Sequence, residues 1–209
     1  MFEKLKKYLN FDKNQRSNKW IFTTILVTSL LGLLAAFVLS TEAIDLLKDP
    51  NAQFSCSLNA VVNCATVAKT SYSSIFGFPN SFMGMMVMPI FVTTAIIGLF
   101  GMKPPKLFML GIQIAAVFAL IFAFYLFHIS IVVIQVLCPW CLLVDVTTII
   151  MFAAITRYNI NENNLYLPNK YQNFAKKFIK NDFDKFAAAL LIVAGAAVIV
   201  IKFGSSLFA

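Results

Sequence analysis

Charged residues are scarce in this chain of 209 residues, at 12%, whereas 60% are hydrophobic. That balance excludes a soluble globular domain, because a core of this size could not bury so much apolar surface; the composition is that of an integral membrane protein. Histidine is nearly absent, with His128 the only one. Internal repeats, low-complexity tracts and broken apolar segments are missing too, which removes the usual marks of a transporter. The net charge of +8 does not exclude nucleic acid by itself, but its distribution does: Lys and Arg stand in blocks between apolar runs and read as topology signals.

What is present is a set of five apolar runs, at 20–39, 82–102, 107–127, 129–155 and 186–201. Runs of about 20 residues cross roughly 30 Å of hydrocarbon at about 1.5 Å per residue. The fourth run is long. Residues 129–137 are expected to include the turn from the third span, with the helix proper starting near Cys138, because Pro139 is favoured at a first helical position and disfavoured inside. The expected fold is an all-α integral membrane protein.

Basic residues set the direction. Lys4, Lys6, Lys7, Lys13, Arg16 and Lys19 outnumber Glu3 and Asp12, which makes the N-terminus cytoplasmic. With five alternating spans, the connection from Lys103 to Lys106 and the segment holding Arg157, Lys170, Lys176, Lys177, Lys180 and Lys185 also fall inside. The loop after the first span carries Glu42, Asp45 and Asp49 against Lys48 and Lys69, and the connection between spans three and four has no Lys or Arg. Both face outward, as does the C-terminus. A cleaved signal peptide is the other reading of the first run; it is longer than the usual h-region of about 7–15 residues, and its removal would leave the basic blocks without a consistent inside address.

All four cysteines then lie at the outer surface, where disulfides persist. Cys56 and Cys64 are in the first external loop; Cys138-Pro139-Trp140-Cys141 opens the fourth span. A thiol at a helix N-terminus feels the positive end of the helix dipole, which lowers its pKa. Two dithiols on one side suggest electrons passed pairwise between sulfurs. A four-thiolate zinc site competes, but Cys56 and Cys64 are separated by seven residues rather than two to four, no His accompanies them, and one pair opens a transmembrane helix. For Cys56 and Cys64 a static loop disulfide also stands, against a mobile arm built on Ser55, Ser57 and Asn59.

The order Cys56-Ser57-Leu58-Asn59, Cys64, Thr70-Ser71-Tyr72, Phe76-Gly77-Phe78-Pro79, Gly84 and Cys138-Pro139-Trp140-Cys141-Leu142 resembles the vitamin K epoxide reductase family, over roughly residues 20–157. The ordered combination is specific, although no single piece is. The resemblance implies a four-helix bundle around a quinone, ubiquinone or menaquinone, whose bacterial members oxidise thioredoxin-fold partners that install disulfides in exported proteins. Carried over by position, Cys56 would meet the partner, Cys64 would shuttle to Cys138, and Cys141 would face the quinone, with Thr70 near its pocket. Because this chain stops at Ala209, where many bacterial relatives continue into a thioredoxin-like domain, the DsbA-type partner is expected to be a separate extracytoplasmic protein. The location implied is a bacterial inner membrane, with lipid and quinone as the other partners.

This reading divides the chain into a basic cytoplasmic segment at 1–19, a four-helix catalytic bundle at 20–157 with its external cysteine loop at 40–81, a cytoplasmic linker at 158–185 and a fifth transmembrane helix at 186–209. Thiol exchange needs an attacking thiolate and an accessible disulfide, which suits a loop pair as carrier. An apolar quinone suits aromatic side chains at bilayer depth; Phe76, Phe82, Phe118, Phe122 and Trp140 are the candidates among 22 phenylalanines and two tryptophans, most of which face lipid or core. Asp145, four residues after Cys141 and on the same helical face, is read either as a proton relay to the reduced quinone or as a hydrogen-bonded bundle residue. Asn80 and Ser81 are expected to cap the second span, with Asn80 also a candidate quinone contact. His128 is expected at the membrane interface.

Three other functions remain. A DsbB-type quinone reductase has the same ingredients, but with the Cys-x-x-Cys in the first external loop and the spaced pair in the second, the reverse of the order here. A reductase acting on a quinone or vitamin K epoxide for its own sake keeps the same fold. A nonenzymatic membrane protein with structural disulfides would tolerate Cys138→Ser.

Overall fold

The computed structural model describes residues 2–50, 52, 54, 56, 57, 59 and 61–207, and side chains only within 18–204. Ser55 and Leu58, and the side chains of Lys4, Lys6, Lys7, Lys13 and Arg16, lie outside the described residues. The elements are α1 (Phe2–Lys48), α2 (Cys64–Ala68), a 3-10 turn (Ser71–Ser74), α3 (Asn80–Leu99), α4 (Lys106–His128), α5 (Pro139–Asn161), α6 (Asn169–Lys180) and α7 (Phe183–Leu207). No strand occurs among the described residues.

Five helices are long and apolar enough to cross a membrane, as the apolar runs predicted. Four of them share one core: Phe22 and Ile25 of α1, Met88 and Phe91 of α3, Met109 and Ile112 of α4, and Met151 and Ile155 of α5. Between helices in lipid, close packing rather than the hydrophobic effect holds the contact, so small residues matter at crossings. A Cβ on Gly98 would sit 2.4 Å from the Phe22 ring, and one on Gly84 would sit 2.8 Å from the Ala36 Cβ. These two glycines let α1 and α3 approach. Helix α7 lies outside this core, against α5.

Three sequence expectations are corrected. The external loop does not begin at residue 40: α1 runs on to Lys48, because Ser40 and Thr41 turn their hydroxyls back onto the Ala36 and Val38 carbonyls, at 2.7 and 2.8 Å, instead of breaking the helix. The segment 129–137 does hold the turn, at Gln135, but its residues 129–134 are a π-helical extension of α4, so that span reaches Ile134, and exposed His128 lies more than a turn before its end. Asn80 and Ser81 do not cap α3. Pro79 holds the N-cap position, and no side chain caps that end.

The end of the bundle away from the cysteines is tied by polar contacts. Arg157 on α5 reaches Asp184 at 2.8 Å, Asp182 and the Ile179 carbonyl, pinning the α6–α7 corner. Fully buried Asn159 donates to Gln113 at 3.0 Å and to the Met109 carbonyl at 3.2 Å, joining α5 to α4.

Candidate redox site

Backbone geometry brings two remote cysteine segments together. Gln135, at φ 58°, ends the π segment in the left-handed region and reverses the chain, and the Ser130 hydroxyl donates to the Val136 carbonyl at 2.6 Å. Leu137 N–H then donates to the Val61 carbonyl at 2.7 Å, and Asn63 N–H donates to the Leu137 carbonyl at 3.0 Å. This short parallel bridge between Val62 and Leu137 delivers Cys64 and Cys138 to the same place. Both are about 2% exposed, and with Cys56 and Phe54 they form one buried cluster. Asn63 also starts α2, its side chain accepting from Thr66 N–H at 2.9 Å.

Cys56 and Cys64 are joined as a disulfide, with Cα atoms 5.7 Å apart. Cys138 and Cys141 are free thiols with sulfurs 2.8 Å apart. As expected, Pro139 opens α5. Cys138 is its N-cap, and its sulfur accepts from the Cys141 N–H at 3.3 Å. The Cys141 thiol hydrogen bond, and after it the backbone N–H, hold the Cys138 thiol below the ordinary thiol range, against burial and the Glu42 charge.

The outer turns of α1 present two faces to two features. Leu39, Glu42 and Leu46, at helical spacing, face the sulfur cluster; the Glu42 carboxylate oxygens lie 3.5 and 3.7 Å from the Cys56 sulfur. Phe37, Ser40, Thr41 and Ile44 face an open groove of about 580 Å³ whose other wall is Phe78, Phe82, Met85 and Met86.

The structure divides the predicted quinone contacts. Phe82 lines that groove. Phe76, Phe118 and Phe122 form a separate aromatic row, with ring centroids 6.0 Å apart for Phe76 and Phe122 and 6.2 Å apart for Phe118 and Phe122. Phe78 joins the two, lining the groove while its ring stands 6.4 Å from Phe76. Gly77 between them has φ 83°, a conformation that a side chain disfavours. Trp140 packs against the sulfur cluster instead. The Thr70 hydroxyl donates to the Val67 carbonyl at 2.8 Å. Asn80 donates to the Tyr72 carbonyl at 2.7 Å and accepts from the Ile75 N–H at 3.2 Å, fastening the 3-10 turn to α3. Asp145 faces neither aromatic group: it lines a pocket of about 200 Å³ closed by Leu120 and Phe124 of α4 and Leu191 and Gly195 of α7.

Sequence reasoning missed Glu42, Phe78 and the clamp residues Val61 and Leu137. Phe78 was visible in the Phe-Gly-Phe-Pro motif, and Glu42 in its three-residue spacing from Leu39. Nothing in the sequence marks Val61 or Leu137, since backbone pairing leaves no side-chain signature.

A helical membrane bundle with a disulfide and a dithiol gathered at one mouth defines a membrane redox enzyme. The sequence matches the vitamin K epoxide reductase family over residues 23–156, and the chain belongs to that family. No curated protein matches it.

Proposed function

We propose that this protein oxidises a separate thioredoxin-fold dithiol partner of DsbA type on the extracytoplasmic side of a bacterial inner membrane and passes the electrons to ubiquinone or menaquinone. The observation that carries this reading is the clamp that sets the oxidised Cys56–Cys64 pair beside the reduced Cys138–Cys141 pair. The basic residues Lys103 and Arg157 lie at the opposite end, which supports an outward-facing sulfur mouth.

In this reading the partner's dithiol reduces Cys56–Cys64. Cys64 then attacks Cys138 of the oxidised inner pair, releasing Cys141, and exchange continues until the inner pair is reduced and Cys56–Cys64 is restored. A quinone, when bound, would supply a two-electron, two-proton acceptor for the Cys138–Cys141 dithiol. Two apolar surfaces joined through Phe78 suit such a ring: the α1–α3 groove lined by Phe82, and the separate aromatic row of Phe76, Phe118 and Phe122. Thr70 and Asn80 order the turn that carries Phe76 and Phe78, and Trp140 covers the sulfurs. Asp145, one turn beyond Cys141, lines the α4–α7 pocket rather than either aromatic surface, which favours a bundle residue over a proton relay to a quinone held there.

The test is quinone reduction by the purified protein supplied with a reduced thioredoxin-fold dithiol. Cys56→Ser, Cys64→Ser, Cys138→Ser and Cys141→Ser should each abolish turnover, and dithiothreitol-driven reduction should survive only where Cys138 and Cys141 both remain. Full turnover in the two loop variants would make Cys56 and Cys64 structural and remove the carrier role.

A further inference from the structure

Resting on the reading above, we propose that Glu42 is a catalytic proton carrier for exchange at the Cys56–Cys64 disulfide, taking the proton of the incoming thiol and returning it to the sulfur that leaves. Its two oxygens stand 3.5 and 3.7 Å from the Cys56 sulfur. One carboxylate oxygen and the sulfurs of Cys56 and Cys64 all lie within 4.8 Å of one another. A disulfide sulfur carries no proton, so these distances describe a carboxylate in contact with reacting atoms rather than a hydrogen bond already made.

The surroundings exclude the ordinary structural reasons for a carboxylate here. Glu42 is half-buried, and among the described residues it forms no ion pair with any Lys or Arg. Its neighbours on α1 that face the same way are Leu39 and Leu46. The groups facing it from the packed elements are sulfurs: the Cys56–Cys64 disulfide, which does not titrate, and the free thiols Cys138 and Cys141 at the mouth of α5. On its own helix the nearest other charges, Asp45 and Lys48, pair with each other at 3.6 Å. A half-buried carboxylate without a cationic partner costs stability. Beside a disulfide it also repels an approaching thiolate. It helps only if the attacker arrives as a neutral thiol and surrenders its proton there.

The step balances. As the incoming sulfur bonds to Cys56, its proton passes to the Glu42 carboxylate; the Cys56–Cys64 bond breaks, and the Cys64 sulfur takes the proton from the Glu42 carboxyl. One disulfide bond forms and one breaks, and the carboxylate is restored. When the second thiol of the incoming dithiol attacks the mixed disulfide, Cys56 leaves as a thiol by the same route. The site thereby favours a neutral dithiol over a thiolate, a preference opposite to that of an electropositive redox site.

The experiment follows reduction of Cys56–Cys64 by dithiothreitol in the full-length protein without quinone, trapping free thiols with a maleimide reagent between about pH 6 and 9, on both sides of the ordinary thiol pKa near 8.5. Glu42→Gln should slow the reaction by about 100-fold at the acid end, within the range that a positioned proton-transfer group contributes, with the deficit closing as thiolate becomes abundant. Glu42→Asp should recover part of the rate. A Glu42→Gln rate equal to the parent's at every pH overturns the proposal. So does a parent rate that simply tracks the thiolate fraction across the range, a measurement that needs no variant and holds even if Glu42→Gln fails to fold. Quinone reduction by Cys138 and Cys141 in a Cys56→Ser, Cys64→Ser background is read separately; its failure counts against the electron-transfer reading and leaves the Glu42 result standing.

Discussion

At the end of the bundle away from the cysteines, Arg157 gathers Asp182, Asp184 and the Ile179 carbonyl, while Lys103 and Asn18 meet on Glu162 at 2.9 and 3.3 Å. At the sulfur mouth the only ion pair among the described residues is exposed Lys48–Asp45, and the parts are held by a disulfide, two backbone hydrogen bonds across the Val62–Leu137 bridge and the Lys202 ammonium donating to the Ile131 carbonyl at 2.6 Å. The difference separates what must stay from what must change. Fixed charges at one end lock α5, α6 and α7 whatever the redox state. At the other end the main covalent tie is the one that the proposed chemistry makes and breaks, so the backbone clamp has to keep Cys64 beside Cys138 when the Cys56–Cys64 bond is open.

The largest effect is expected at Arg157. Arg157→Ala leaves Asp184, whose side chain is 10% exposed, without its partner, and should cost about 3 kcal/mol, the scale for removing one member of a buried pair. Thermal unfolding in detergent should show the loss, while dithiothreitol reduces Cys56–Cys64 at the parent rate. A changed reduction rate would mean that the two ends are coupled.

A smaller effect is expected at the mouth. Phe203 and Ile199 of α7 pack with Ile131, Leu137 and Val61, so α7 braces the clamp from behind, and Lys202 fastens it. Lys202→Met should cost about 1 kcal/mol, the net contribution of one hydrogen bond, and should slow transfer between the two cysteine pairs without slowing reduction of the outer pair. Rapid mixing with thiol trapping separates these two rates; an unchanged transfer rate removes α7 from the clamp.

The smallest effect concerns acid. Asp182 is held below the ordinary carboxylate range by Lys185 first and Arg157 second. A depressed folded-state pKa contributes stability that is present above the unfolded value, near 3.9, and lost as pH falls through the folded value. Asp182→Asn should therefore lower the melting temperature slightly at neutral pH and leave it at the parent value in strong acid. Because Asp182 is exposed, a large neutral-pH difference would contradict this assignment.

Much of the architecture was legible because long apolar runs in a chain poor in charge have few other solutions. The runs located all five spans, and Pro139 located the start of α5. The boundaries were less legible. Polar residues at 40–42 look like a loop, yet hydroxyls that bond back to their own helix and a carboxylate aimed at sulfur are compatible with two further turns of α1. Aromatic candidates were legible as a class but not as a site: Phe82 and Phe122 ended on different surfaces, and Phe78 connects them.

The sequence by itself determined the membrane setting, the helical class and the presence of two cysteine pairs, because hydropathy, proline position and cysteine spacing are local properties of the chain. Only the tertiary structure decided which sulfurs share a cluster, that Glu42 touches one of them and that Asp145 turns toward α7. Those relations depend on a backbone bridge between residues 62 and 137 and on the rotational setting of packed helices, and both arise from contacts between segments far apart in sequence.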